Sequence, residues 1–290
     1  MIDEADAFAA WELAPVHCLA EHGCLDYHRV WGLLRLLLPA KPLFGEDTIV
    51  QGVRSLSSGN GRILLCGAAD TAVLKLILEV GEAMDCAPMV DVIERCASAC
   101  EVLRLHAARR GSKVNIIQGD FSDAAQLSLP SPTTYDLVIA HNILGLIPGE
   151  FRQAVCANWA SLSARGSTLL LVQTLCASDV AWLDRNRPRD VDSALATLLN
   201  GLRSRDVSEQ RTNDILTTAQ RFWQATWRQS PALTEASVKS LLSTAGFSTT
   251  QVHYDACLER GPSSASITTR SGHSRALFMA VRRRHVAGVD

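Results

Sequence analysis

From Arg62 onward the chain alternates short apolar runs with segments of helical periodicity, and this alternation restricts the fold more than any other feature. The apolar runs have the length and composition of buried strands. The predicted strands are Arg62–Cys66, Met89–Ile93, Val114–Gln118, Tyr135–His141 and Thr168–Gln173. The predicted helices between them are Thr71–Ala83, Arg95–Arg110 and Phe151–Ser163. Such alternation predicts an α/β fold with a mostly parallel sheet covered by helices on both faces.

Helical segments precede and interrupt this alternation. Residues from about Phe8 to Leu38 have helical spacing, and the polar linker SLSSGNG separates them from the first strand. A second helical, arginine-rich segment covers about 177–230. The last predicted elements are a helix at Thr234–Ala245 and two strands at Thr249–Asp255 and Ala276–Arg283. We therefore predict an N-terminal helical cap at 1–55 and a main domain at 56–290 with a helical insertion at about 177–230.

Small or polar residues follow four successive predicted strands, at the edge of a parallel sheet where ligands bind. They are Gly67, Ala68, Ala69 and Asp70 after the first strand, Glu94 and Arg95 after the second, Asp120 and Phe121 after the third, and His141 and Asn142 after the fourth. Each has a structural alternative, since Glu94 also suits a helix start, Asp120 a turn and Phe121 the core. Their order along the chain favours a shared binding site.

With these strand ends, the segment from Arg62 to Arg283 resembles class I S-adenosylmethionine-dependent methyltransferases. The runs YDLVIAHNILGLIP and RQAVCANWASLSARGSTLLLV are especially similar to the family's fourth and fifth strands. YHRVWGLLRL and ERC are similar to an uncharacterised bacterial subgroup. The resemblance implies a Rossmann-like, mostly parallel seven-stranded sheet with one of the last two strands inserted antiparallel, an ending that an ordinary dehydrogenase lacks.

The resemblance also implies S-adenosylmethionine as cofactor and assigns roles to the strand ends. The loop from Gly67 to Asp70 would cradle the methionine part, Glu94 would bind the ribose, and Asp120 with Phe121 would lie by the adenine. The sequence departs from the family at the first loop, where a single glycine is followed by two alanines. Glutamate also replaces the commoner aspartate after the second strand.

Candidate groups for catalysis and substrate binding lie at the fourth strand end and on an early helix. His141 is the candidate general base and Asn142 the candidate orienting group, although His141 equally suits a cofactor hydrogen bond. Tyr27, His28 and Arg35 are candidate substrate-binding residues, with Arg35 placed to hold an anion. Packing of this helix onto the main domain is the alternative, and it is the one we favour for Trp31.

Charge and composition limit the partners. The formal net charge of −2 provides no basic field for nucleic acid, so we expect a small-molecule acceptor. The acidic start MIDEADAF and the absence of a long apolar run predict no signal peptide, no membrane span and a cytoplasmic location. The sequence leaves homodimer formation open.

Cysteine and histidine residues cluster near the N-terminus without the spacing of a known zinc motif. The chain has nine cysteines and no CxxC pair, which favours reduced thiols. The cluster consists of His17, Cys18, His22, Cys24 and His28. We interpret it as a polar helical lid rather than as the alternative, a metal site, and predict no metal ligands.

Three function classes follow. A small-molecule methyltransferase acting on oxygen or nitrogen is favoured, because helical lobes suit an enclosed pocket. A different reaction with the same cofactor is the second class. A non-catalytic cofactor-binding module is the third, and acids at both Glu94 and Asp120 argue against it.

Overall fold

In the computed structural model the chain forms a layered α/β domain with a helical lobe on one side. The structure describes residues 2–19, 23–38, 43–56, 61–86, 88–123, 134–176, 190–224, 233–254 and 273–283. Its strands are β1 (Arg62–Cys66), β2 (Met89–Glu94), β3 (Val114–Gln118), β4 (Tyr135–His141), β5 (Ser163–Cys176), β6 (Phe247–Tyr254) and β7 (His273–Arg282). Its helices are α1 (Glu4–His17), α2 (Leu25–Leu37), α3 (Glu46–Arg54), α4 (Ala72–Ala83), α5 (Ala97–Arg109), α6 (Arg152–Leu162), α7 (Val191–Arg203), α8 (Glu209–Gln224) and α9 (Glu235–Thr244).

The seven strands form one sheet in the order β3-β2-β1-β4-β5-β7-β6. The pairs among β1 to β5 are parallel, whereas β7 lies antiparallel between β5 and β6. The order reverses between β1 and β4, which is where an open α/β sheet leaves a crevice for ligands. The predicted mostly parallel, seven-stranded sheet with an inserted antiparallel strand is confirmed.

Both faces of the sheet are buried, as continuous apolar strands require. In β1, Leu64 and Cys66 belong to the hydrophobic cluster on one face, and Ile63 and Leu65 belong to the cluster on the other. Side chains alternate sides along a strand, so an unbroken apolar run supplies both layers. The sheet is therefore a fixed platform, and function is left to the loops at its edge.

The N-terminal helices and the described helices of the insertion form a single lobe. Their apolar faces share one hydrophobic cluster, which includes Trp11, Leu33 and Leu34 from the N-terminal segment and Leu198 and Phe222 from the insertion. The sequence suggested two separate helical lobes, because periodicity within each segment does not show which segments pack together. We call this lobe, formed by α1, α2, α7 and α8, the cap. Residues 177–189 and 225–232 of the predicted insertion lie outside the described residues.

Helix α3 was not predicted, and it belongs to the sheet rather than to the cap. Its Ile49 and Val53 are buried in the cluster on one face of the sheet. The domain boundary near residue 55 stays a prediction. Helix α3 lies in the N-terminal segment 1–55, yet it packs on the main domain. Among the described helices, none is long and apolar enough to cross a membrane.

A buried carboxylate fixes α1 on the sheet layer. Asp6 is fully buried and accepts hydrogen bonds from the Thr71 hydroxyl at 2.7 Å and from Arg109, and it lies 2.8 Å from Nδ1 of His106. These partners come from the start of α4 and from α5. A buried charge of this kind requires several partners, and breaking such a set costs much more than breaking a surface ion pair. The start of the chain is therefore held by a specific polar contact as well as by apolar packing.

Candidate functional site

The loop after β1 turns sharply at Gly67. This residue has φ of +67°, in the left-handed region, and its amide donates to the Ile93 carbonyl at 2.9 Å. A Cβ atom here would lie 2.6 Å from Cδ1 of Ile143, which follows β4. The single glycine that the sequence retains is thus at the position where both the backbone angle and the space require it. Ala68 and Ala69 continue the loop, with Ala68 buried and Ala69 partly exposed.

Glu94 ends β2 and holds the loop after β1. Its Oε2 accepts from the Ala68 amide at 2.9 Å, and its Oε1 accepts from the Cys96 amide at 2.8 Å. One carboxylate therefore spans two neighbouring strand ends, and its remaining lone pairs are available to other donors. The predicted juxtaposition of Glu94 with the loop after β1 is present in the structure.

Asp70 joins the first loop to the cap. Its Oδ2 accepts from Trp31 Nε1 at 3.0 Å and from Arg35 Nη1 at 2.9 Å, while its Oδ1 caps α4 through the Ala72 amide at 2.9 Å. Arg35 thus has an internal partner for its charge, and its role in holding a substrate anion stays a prediction. Asp70 has three protein donors, and its contact with cofactor likewise stays a prediction. Trp31 packs helix α2 on the domain, as favoured from the sequence.

Asp120 and Phe121 follow β3 but differ in exposure. Oδ1 of Asp120 accepts from the amide and hydroxyl of Ser122, at 2.8 and 2.7 Å, which closes a turn. Its Oδ2 lies 3.9 Å from Nη1 of the exposed Arg95. Phe121 is only 4% exposed and packs edge-on against Trp159 in the core. The structure therefore favours the core alternative for Phe121 over a ring that covers adenine.

Of the two cap residues predicted to bind substrate, His28 is buried and Tyr27 is partly buried. Burial raises the pKa of Tyr27 above its ordinary value, and the carboxylates of Asp70 and Glu94 raise it further. Tyr27 is thus a neutral phenol close to two acids of the candidate site. His28 stacks edge-on with Tyr27 and lies near the thiols of Cys24 and Cys96.

His141 ends β4 with one ring nitrogen unused. Its buried Nε2 has no hydrogen-bond partner among the described residues, while the ring also interacts with the backbone of Phe44. Burial, together with the charge of Arg35, lowers the pKa of His141 to about 4. The imidazole is therefore neutral at physiological pH, with a nitrogen able to donate to or accept from a ligand.

Asn142 supports the edge of the sheet. It has φ of +59°, an angle that asparagine tolerates better than most residues. Its Oδ1 accepts from the Thr174 amide at 3.1 Å and from Gln173 Nε2 at 3.3 Å. These bonds tie β4 to β5 and occupy the group that was predicted to orient an acceptor.

The structure thus brings the strand-end residues to one edge of the sheet, with different partners from those expected. Sequence reasoning missed Cys96, which adjoins Glu94, and Asp6, which anchors the cap. The ERC run, which ends at Cys96, could have drawn attention to this residue. The residues next to Cys96 in the sequence, however, do not indicate that it lies near Cys18 and Cys24.

No family model and no curated protein matches the sequence. A Rhodobacter sphaeroides protein provisionally named a Zn-dependent alcohol dehydrogenase aligns with 98% of this chain and 100% of its own, at TM-score 0.51 and 15% identity. A Galdieria sulphuraria protein provisionally named a sarcosine dimethylglycine methyltransferase aligns over 82% and 85%, at TM-score 0.50 and 8% identity. N-methyltransferase NodS from Bradyrhizobium japonicum WM9, solved with S-adenosyl-L-homocysteine, aligns over 84% and 90%, at TM-score 0.48 and 14% identity.

At these identities the first two similarities establish the fold and nothing finer. Together with the strand order, they confirm the predicted Rossmann-like fold of the class I methyltransferase type. The proposed bacterial subgroup has no match that tests it.

We expect Gly67→Ala to destabilise the protein more than Gly111→Ala does. Both glycines have a left-handed φ, but Gly111 has nothing within 4 Å of its would-be Cβ. Gly111→Ala therefore measures backbone strain alone, about 1 kcal/mol, whereas Gly67→Ala adds the collision with Ile143. Denaturant unfolding measures both. Equal losses would show that the loop has room for the methyl group.

We expect His141 to make the free energy of unfolding depend on pH between 6.5 and about 4. Its pKa in the folded protein, about 4, lies below the ordinary value of 6.5, so the unfolded chain binds a proton that the folded chain does not. The free energy of unfolding should therefore fall as pH drops from 6.5 to 4. His141→Gln should flatten this slope, since His106 remains in both proteins. An unchanged slope would contradict the buried, neutral state of His141.

Proposed function

We propose that the protein is an S-adenosylmethionine-dependent methyltransferase that modifies an oxygen or nitrogen atom of a small molecule. The observation that carries the proposal is the position of Glu94. Its carboxylate ends β2, contacts the tight loop at Gly67 and lies beside the point where the strand order reverses. That is where the resemblance to class I methyltransferases requires a ribose-binding acid.

The residues at this edge fit the cofactor. Gly67 makes the tight turn after β1, and Glu94, which accepts from the Ala68 amide, supplies acceptors for ribose hydroxyls. The unused, buried Nε2 of His141 supplies a further polar contact on the other side of the loop. Asp120 lies at the rim as an acceptor for an adenine amine, whereas Phe121 is too buried to form the predicted cover.

S-adenosylmethionine supplies a methyl group already activated by a sulfonium, so the protein mainly has to bind, align and exclude water. Helix α2 is suited to exclusion, because Trp31 and Arg35 bond it directly to Asp70 at the end of β1. This contact closes one side of the candidate crevice with the cap. Tyr27, a neutral phenol between the cap and the two acids, is the group best placed to hydrogen-bond an acceptor.

The proposed catalytic role of His141 is limited by its low basicity. An imidazole with a pKa near 4 is unprotonated at neutral pH but accepts a proton weakly, and efficient general bases have a pKa near the working pH. We therefore propose that His141 orients the cofactor or acceptor by a hydrogen bond. This suits acceptors such as neutral amines, which need little help from a base.

Other properties support a small, soluble acceptor. The net charge of −2 offers no general attraction to nucleic acid, which is why we propose a small molecule. The name of the Rhodobacter neighbour suggests a dehydrogenase, but β7 is inserted antiparallel before β6, an ending that favours the methyltransferase assignment. The described cysteines are unpaired, in agreement with a proposed cytoplasmic location.

We expect Glu94→Ala to abolish binding of S-adenosylmethionine and S-adenosylhomocysteine. Losing hydrogen bonds from two ribose hydroxyls to a charged acceptor should weaken affinity by about 100-fold or more. Glu101→Ala, at an exposed acid on α5, is the matched control and should bind normally. Isothermal titration calorimetry measures the affinities, and circular dichroism checks that both variants are folded. Wild-type affinity in Glu94→Ala would contradict the proposed site.

The reaction class is tested by product mass spectrometry. We expect the protein, incubated with a small-molecule cell extract and cofactor carrying a deuterated methyl group, to transfer that methyl to an acceptor of low mass. Heat-inactivated protein is the control. Labelled cofactor consumed without any methylated acceptor would indicate another reaction, and binding without consumption would indicate a non-catalytic module.

A further inference from the structure

Three thiols from distant parts of the sequence meet between the cap and the sheet. Cys18 follows α1, Cys24 precedes α2, and Cys96 follows β2 directly after the candidate site. Sγ of Cys96 lies 3.7 Å from Sγ of Cys18 and 3.8 Å from Sγ of Cys24, and all three sulfur atoms lie within 4.8 Å of one another. The cluster is separate from the strand-end groups assigned to the cofactor.

These distances fit a shared metal ion better than a disulfide. Bonded sulfur atoms lie about 2.05 Å apart, so none of the pairs is a disulfide. Two thiolates on a tetrahedral zinc ion, each bonded at about 2.3 Å, lie about 3.8 Å apart. The distances from Cys96 Sγ to the sulfur atoms of Cys18 and Cys24, 3.7 and 3.8 Å, match that edge length. Thiolate sulfur is a soft ligand, and it binds zinc in preference to hard divalent ions such as Mg²⁺ and Ca²⁺.

The fourth ligand that we assign lies one helical turn after Cys24. His28 is buried at 7% exposure, and its backbone amide donates to the Cys24 carbonyl at 3.0 Å. Residues four apart on a helix lie on the same face, so Cys24 at the start of α2 and His28 within it point to one place. We propose that Cys18, Cys24, Cys96 and His28 bind a structural zinc ion as a Cys3His site.

Four protein ligands would fill a tetrahedral zinc ion and leave no position for substrate, which is why the site is structural rather than catalytic. The position of this proposed zinc ion suits a structural role. The Cys96 amide donates to Glu94, so a metal held by Cys96 would tie the connection between α1 and α2 to the candidate cofactor site. The sequence places Cys18, Cys24 and His28 in one cluster, but it does not show that Cys96, which comes 72 residues after Cys24, joins them. The earlier expectation of no metal is thus replaced by this proposal.

A second cluster in the described residues shows the contrast. Asp3, Asp6 and His106 also lie close enough to share an ion. Their carboxylates, however, already pair with Lys75 and Arg109. Cationic side chains therefore neutralise this cluster, which gives no reason to place a metal ion there.

We expect the protein purified without chelator to contain one zinc ion per chain by inductively coupled plasma mass spectrometry. Cys24→Ser and Cys96→Ser should each lose most of it. Cys100→Ser is the matched control, since Cys100 is equally buried nearby but bonds the Glu94 carbonyl, and it should keep full zinc. His28→Ala should bind zinc more weakly, and His28→Cys should restore it. Full zinc in Cys96→Ser would overturn the proposal.

Cobalt substitution tests the same site in the wild-type protein, without any variant that might fail to fold. We expect Co²⁺ added to zinc-depleted protein to give the intense visible bands of tetrahedral coordination and a thiolate charge-transfer band. A weak octahedral spectrum, or intact-mass evidence of a disulfide among these cysteines, would overturn the proposal. Both measurements omit S-adenosylmethionine, so their outcome is independent of the proposed methyltransferase activity.

Discussion

The contact that determines the layout of the candidate site is the set of hydrogen bonds to Asp70. This carboxylate accepts from Trp31 and Arg35 of the cap and at the same time caps α4 at the end of β1. Because the residue belongs to the loop expected to hold cofactor, the cap cannot shift without disturbing that loop. With Asp6 anchoring α1 on α5, two carboxylates fix the helical lobe relative to the sheet.

This arrangement changes how the strand-end polar groups should be understood. Glu94 accepts hydrogen bonds from two amides, and Asp70 accepts them from two side chains and an amide. Asn142 accepts a hydrogen bond from an amide of β5. Most of these groups therefore stabilise the edge of the sheet before any ligand binds. Groups that are fixed by the protein before a ligand arrives lose little freedom on binding. His141, with one buried nitrogen unused in the described structure, is the exception, and it is the residue whose environment most suggests a direct contact with a ligand.

The sequence predicted the sheet well, because strands buried on both faces leave apolar runs and helices leave a regular period. It placed Gly67, Glu94 and Asp120 at neighbouring strand ends, since parallel strands end at a common edge. It left Phe121 open between the core and a position by the adenine, and it did not predict the partners of Asp70 or the meeting of Cys96 with Cys18. Those depend on how helices pack across long separations in sequence, and local periodicity carries no information about such packing. The family resemblance supplied the cofactor, which the structure alone does not identify.

The shared hydrophobic cluster of the cap has a consequence for how the chain is made. Trp11, Leu33 and Leu34 emerge early from the ribosome, but Leu198 and Phe222, which cover them, emerge much later. Until synthesis passes α8, the first two helices lack the apolar partners that α7 and α8 supply. The nascent chain therefore exposes apolar surface through most of translation, and chaperones that bind nascent chains recognise surface of this kind.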